Sequence, residues 1–163
     1  MLISVLKKTA MTRNEEELEF LQEVFGYIPF FQSFQKDFDQ ETFETLLRKL
    51  RYEYGKKDRK IFNFGDMGRK FYIILSGGVR VLVPKTPNDI EEDEDEDSQN
   101  TKKQEFLIVN ELNSGDCFGE IALLNSVPRT ATCICREDTH FVVLTAETYM
   151  KIVGFIKKKR NKR

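Results

Sequence analysis

From Lys60 onward the apolar residues stop recurring at helical intervals and fall into short extended runs. That switch of period constrains the fold more than any other feature of the chain. Ile61-Phe-Asn-Phe64 reads as a short strand closed by the turn cluster Gly65-Asp66-Met-Gly68. Phe71-Tyr-Ile-Ile-Leu75 is a second strand, followed by a tight turn at Ser76-Gly77-Gly78. Val79, Val81 and Val83 then alternate with Arg80 and Leu82 as far as Pro84. The extended pattern resumes at Phe106-Leu-Ile-Val109 and Leu112, and Asn113-Ser-Gly115-Asp116 turns it. Ala131-Thr-Cys-Ile-Cys135 and His140-Phe-Val-Val-Leu144 supply the last two runs, around a polar turn at Arg136-Glu-Asp138. Many short strands between helices at each end predict an α+β fold: a small antiparallel β-barrel of the jelly-roll type, flanked by N- and C-terminal helices.

The flanking helices are read from caps and apolar stripes. Thr12-Arg-Asn-Glu15 has capping-box spacing, and Leu18, Leu21, Val24 and Phe25 follow at helical intervals as far as Gly26. Ile28-Pro-Phe-Phe31 is too apolar for a free loop and is expected to pack on the core. Asp39 is placed to cap a second helix, with Phe43, Leu46, Leu47 and Leu50 on one face. Thr145 is placed to cap a last helix bearing Tyr149, Ile152, Val153 and Ile156. With 163 residues the chain suits one core. The expected divisions are a tail over 1–11, a helical segment over 12–56, the barrel over 57–145, and a C-terminal helix with a basic tail over 146–163. Within the barrel, 85–104 reads as a disordered insertion. Its seven consecutive acids, Glu91 to Asp97, bury too little apolar area to offset their ordering entropy. The run lacks the interleaved glycine of a calcium loop.

The stretch that carries chemistry runs from Cys117 to Thr132. Gly119 lets another group approach its backbone, and Glu120-Ile-Ala-Leu-Leu124 is a run of mostly good helix formers. A short helix starting there would aim free N–H groups at an anion, and Ala122 is small enough not to block it. Pro128 biases Val127 toward extended geometry, so Arg129 leaves the turn in a defined direction. A guanidinium there can meet a phosphate through two charge-assisted hydrogen bonds. Glu120, acceptor-only when ionised, suits a hydroxyl.

The strings Phe118-Gly-Glu-Ile-Ala-Leu-Leu124 and Pro128-Arg-Thr-Ala-Thr132 closely resemble the phosphate-binding cassette of cyclic nucleotide-binding domains. That family includes the regulatory subunits of cAMP-dependent kinase, cGMP-dependent kinases, cyclic-nucleotide-gated channels and the bacterial catabolite activator. The N-terminal helices and the early strands are also similar to the family's, so the resemblance covers most of 12–153. It implies a binding site at Phe118, Gly119, Glu120, Ile121, Ala122, Pro128, Arg129, Thr130 and Ala131. In it Arg129 neutralises the cyclic phosphate, the N–H groups of Ile121 and Ala122 bind its oxygens, and Glu120 takes the ribose 2′-hydroxyl. Threonine at Thr130 resembles the choice that favours guanine, although some cAMP-responsive channels share it. The ligand implied is cAMP or cGMP, with no further cofactor, and the partner implied is a kinase, scaffold or other effector protein that reads the ligand state.

Other readings stand beside this one. Glu120 and Arg129 could form a simple salt bridge pinning a loop, and the barrel could be a scaffold that binds no ligand. Cys133 and Cys135 share a strand face near Cys117 and His140, but their spacing fits no usual zinc pair, so buried small hydrophobes are expected. No Ser/His/Asp or Cys/His set is evident, so an enzyme is not expected. The C-terminal Lys157-Lys-Lys-Arg-Asn-Lys-Arg163 suits a solvated helix end, with a nuclear address or contact with acidic membrane or nucleic acid as alternatives. No helix-turn-helix follows the barrel, which argues against nucleic acid as partner. No run of about 18 apolar residues exists, so no membrane span is expected. Three cysteines, an odd number, fit a reducing compartment, and the expected location is cytoplasmic. The 19 residues after Leu144 provide one terminal helix, where most relatives add a second as a lid.

Overall fold

The computed structural model describes residues 1–32, 37, 39–86 and 105–160, with 155–160 described by backbone alone. The helical layer holds α1 (Leu2–Lys7), a 3-10 turn (Ala10–Thr12), α2 (Glu15–Phe25), α3 (Pro29–Gln32) and α4 (Gln40–Lys49). The start of α2 differs from expectation: Asn14, not Thr12, is its cap. The Asn14 side chain accepts from the Glu17 N–H at 2.9 Å, while the Thr12 hydroxyl turns back to the Thr9 carbonyl. Three glutamates fill the first turn of α2, where the helix dipole favours them. Asp39 caps α4 as expected, accepting from the Thr42 N–H at 2.7 Å.

Residues 1–11 are not a tail. Leu2, Val5 and Leu6 share one face of α1, and Val5 and Leu6 join Leu18, Leu21, Phe25, Phe31, Phe43, Leu46 and Leu47 in a single apolar cluster. Arg13 binds this layer together. The residue is 3% exposed, and its guanidinium donates to the carbonyls of Val5, Leu6, Lys8, Leu47 and Leu50. Arg48 in turn donates to the Arg13 carbonyl at 2.7 Å.

Eight antiparallel strands follow: β1 (Arg51–Gly55), β2 (Lys60–Phe62), β3 (Lys70–Ser76), β4 (Gly78–Pro84), β5 (Phe106–Asn113), β6 (Cys117–Phe118), β7 (Thr132–Cys135) and β8 (Thr139–Thr145). They form two four-stranded sheets, in the orders β1-β8-β3-β6 and β2-β7-β4-β5. The result is the expected barrel-like jelly roll, with two sheets that are not closed by hydrogen bonds. β1 lies inside the stretch read as helical. Its sequence, Arg-Tyr-Glu-Tyr-Gly, alternates at period 2 and pairs with β8 from Arg51↔Val143 to Gly55↔Thr139.

The register of β3 on β8 explains why both read as continuous apolar runs. Tyr72 faces Val143 and Ile74 faces Phe141, and these four pack against Val79, Cys133 and Cys135 of the other sheet. Phe71 faces Leu144 and Ile73 faces Val142, and these pack against the helices. A sheet covered on both faces needs apolar residues at every position. The molecule is therefore three layers, helices on one sheet on a second sheet.

β4 and β5 pair antiparallel and flank the acidic insertion, as expected. Residues 87–104, on which the disorder reading falls, lie outside the described residues. After β6 come α5 (Glu120–Asn125) and, following β8, α6 (Ala146–Arg160). The Thr145 hydroxyl accepts from the Thr148 N–H at the start of α6. Tyr149 of α6 stacks on Phe71 with centroids 4.6 Å apart, and Ile152 is buried beside it. The Ile156 side chain lies outside the described residues. Among the described residues no helix is long and apolar enough to cross a membrane.

Candidate functional site

The site is built where β6 runs into α5. Phe118 is buried and stacks on Tyr72, with centroids 5.0 Å apart and planes 8° from parallel. Phe62 and Phe141 complete the aromatic floor at 5.9 Å each from Phe118. With Phe118 fixed, the chain reverses at Gly119, which sits at φ +98°, a conformation open to glycine at little cost. The space left by its missing Cβ is taken by Arg129. A Cβ there would lie 2.9 Å from Arg129 Nη1 and 3.1 Å from the Lys70 carbonyl oxygen. Gly68 serves the same packing, since its Cβ would lie 2.8 Å from Ala122 Cβ and 3.0 Å from Arg129 Cζ.

Arg129 is the centre of this arrangement. Its backbone is pinned by the Arg129 N–H to the Asp66 carbonyl at 2.7 Å and by the Gly65 N–H to its own carbonyl at 2.8 Å. Its side chain donates through Nη1 to the Gly119 carbonyl and through Nη2 to the Lys70 carbonyl, each at 2.7 Å. The guanidinium lies 4.0 Å from the centroid of the Phe62 ring, a cation–π contact. Arg129 as a whole is 4% exposed, and among the described residues it makes no ion pair. Burial lowers its pKa from the ordinary arginine value, with nearby Tyr72 opposing that shift. The loop-pinning Glu120–Arg129 salt bridge does not form. Two neutral carbonyls occupy two of five N–H donors, and Asp66 and Glu120 act on this buried cation only from beyond ion-pair distance.

A cavity of about 230 Å³ opens onto this guanidinium. Phe118, Gly119, Glu120, Ile121, Ala122, Arg129, Thr130 and Ala131 all line it, eight of the nine residues named from sequence. Pro128 does not line it and acts only on the path of the chain. Glu120 is half-buried and makes no ion pair among the described residues. The first N–H groups of a helix have no intrahelical acceptor, and no side chain caps α5. Sequence reasoning missed Phe62, Val81, Asn110, Leu112, Cys117 and Cys133, which form the other walls. A signal existed for two of them: Val81 and Leu112 occupy the inward phase of alternating strands.

The cysteines are free thiols. Burial pushes Cys133 up to about 12, and burial followed by Glu120 and Asp116 raises Cys117. No group of three metal-ligating side chains comes together among the described residues. His140 does not line the cavity, and its Nδ1 lies 2.5 Å from the Tyr52 hydroxyl.

Comparison with known proteins gives the same region a context. A family model described as "Cyclic nucleotide-binding domain" matches residues 53–154. Human Rap guanine nucleotide exchange factor 3 is 28% identical over 160 residues, covering 98% of this chain and 15% of that protein. The cAMP-bound regulatory domain of Toxoplasma gondii PKA superposes with a TM-score of 0.68 at 20% identity, over 90% of this chain and 49% of that one. The regulatory subunit of a cAMP-independent protein kinase A from Trypanosoma cruzi, bound to guanosine, gives 0.68 at 20% identity, over 94% and 47%. The chain thus spans a small part of its curated relative and about half of each solved structure.

Proposed function

Because this chain belongs to the cyclic nucleotide-binding domain family, we propose that its cavity takes cAMP or cGMP and that the module senses the ligand without catalysing a reaction. The observation that carries this reading is the buried Arg129 guanidinium, held by neutral carbonyls, facing the cavity and in direct ion-pair contact with no carboxylate of the described residues. A cyclic phosphate supplies the direct counter-ion. The uncapped N–H groups of Ile121 and Ala122 add donors to the phosphate oxygens, and Glu120 accepts from the ribose hydroxyl. Thr130 lines the same cavity and offers one hydroxyl to the base or phosphate. That hydroxyl leans the site toward guanine by about 1 kcal/mol.

Coupling to a protein partner runs through α5. Leu123 of α5 sits in one apolar cluster with Tyr149 and Ile152 of α6. A ligand that draws the start of α5 toward its phosphate shifts this packing and biases the position of α6, which a kinase, scaffold or other effector reads. The free thiols are consistent with a cytoplasmic setting. Amide hydrogen exchange on the chain with and without nucleotide tests both parts. We expect slower exchange over 119–123 and altered exchange in α6. Unchanged exchange throughout at millimolar cAMP and cGMP would favour the scaffold reading.

A further inference from the structure

We propose that a second, basic cleft, formed by α1, the α4–β1 junction and the first turn of α6, docks an acidic peptide segment of a partner protein. The cleft measures about 640 Å³ and shares no residue with the nucleotide cavity. Lys7, Lys8, Arg13, Arg48, Lys49 and Arg51 line it against one carboxylate, Glu147. The chain as a whole carries a formal net charge of −1, so the concentration of positive charge is local and not a by-product of a basic protein. All six cations precede residue 53, where the family match begins.

These cations divide into two groups. Arg13 spends its donors on backbone carbonyls, Arg48 commits Nη1 to the Arg13 and Ala10 carbonyls, and Lys8 pairs with Glu17 at 2.6 Å. Glu147 is likewise taken, by Lys151 at 3.1 Å. Lys7, Lys49 and Arg51 are exposed and make no ion pair among the described residues. They sit on three different elements, α1, α4 and β1.

That division selects the ligand. A compact phosphate needs converging donors, and Arg13, the guanidinium best held in place, is already occupied by the backbone. An exposed ion pair contributes at most about fivefold in affinity, so binding here requires several carboxylates on one extended, adaptable chain. Thr145 and Thr148 line the same cleft, so the bound segment touches the first turn of α6. Any influence of nucleotide on docking rests on the sensing role proposed above; docking itself does not.

The test is fluorescence anisotropy of a labelled peptide of about ten Glu and Asp residues with the full chain at about 50 mM salt, where surface charges are weakly screened. Saturable binding is expected. The triple variant Lys7→Glu, Lys49→Glu, Arg51→Glu should weaken it at least tenfold, with the melting curve and cyclic nucleotide binding unchanged. A second variant, Lys157→Ala, Lys158→Ala, Lys159→Ala, should change it less than about threefold. If the charge reversal disturbs folding, Lys49→Gln with Arg51→Gln should still weaken binding several-fold. The proposal is overturned by no saturable binding, by loss in the C-terminal variant instead, or by an oligonucleotide that occupies the cleft where the peptide does not.

Discussion

Arg129 makes one guanidinium do two jobs, closing the cassette onto β3 through the Gly119 and Lys70 carbonyls and presenting charge to the cavity. Replacing it with alanine removes the only buried cation that lines the site among the described residues. The expected loss is about 2–5 kcal/mol of nucleotide binding, the range for an anion left unpaired in a partly dry site. Arg129→Lys keeps the charge but cannot span both carbonyls, so we expect at least a tenfold loss of affinity in the same titration. Gly119→Ala forces a Cβ into a left-handed turn and against Arg129, so denaturant unfolding should show a loss of about 1–3 kcal/mol with nucleotide affinity falling alongside. The thiols give a pH signature. Cys133 is pushed up to about 12, while the unfolded chain has it at about 8.5. A raised thiol pKa adds stability that is complete below about pH 8.5 and declines as pH rises toward 12, because the unfolded chain loses that proton first. Cys133→Ala should flatten that alkaline decline in unfolding midpoints. At pH 8, a thiol reagent should label the exposed Cys117 first, and bound nucleotide should slow it.

At the scale of elements, the apolar spacing is enough to place α2, α4, α6 and six of the eight strands, because each buries a face whose period shows in the sequence. The exceptions have different causes: β6, at two residues, is too short to show a period. The Leu2-Val5-Leu6 stripe of α1 is too short to stand out, and its stability comes from packing on α2 and α4. β1 was taken into the helical segment although Tyr52 and Tyr54 alternate, because five residues beside a helix end carry little periodicity. The Arg13 clamp was illegible. An arginine beside a helix start reads as solvent-facing, and only tertiary folding brings carbonyls from α1 and from the end of α4 around it. Arg13→Met should therefore cost about 2–4 kcal/mol by leaving several buried carbonyls unpaired, measured by denaturant unfolding. Asp39→Ala, which loses one cap at an exposed helix start, should cost only about 1 kcal/mol.

At the scale of the molecule, the proposed nucleotide cavity draws its walls from both sheets and from α5. The cassette residues were legible because they are contiguous and their types match their chemistry. Phe62, Asn110, Cys117 and Cys133 were not, because they reach the cavity only when β2, β5, β6 and β7 are brought together. The sheet shared by both cores links the cavity to the helical layer: Tyr72 and Ile74 face one core, Phe71 and Ile73 the other. Packing changes at the cassette are thus one strand away from the helices a partner would read. The most direct measurement of the central proposal is isothermal titration calorimetry of the purified chain with cAMP and with cGMP, beside Arg129→Ala. We predict micromolar or tighter binding of at least one nucleotide, lost in the variant. Failure of both nucleotides to bind at millimolar concentration, or binding that survives in Arg129→Ala, would contradict it.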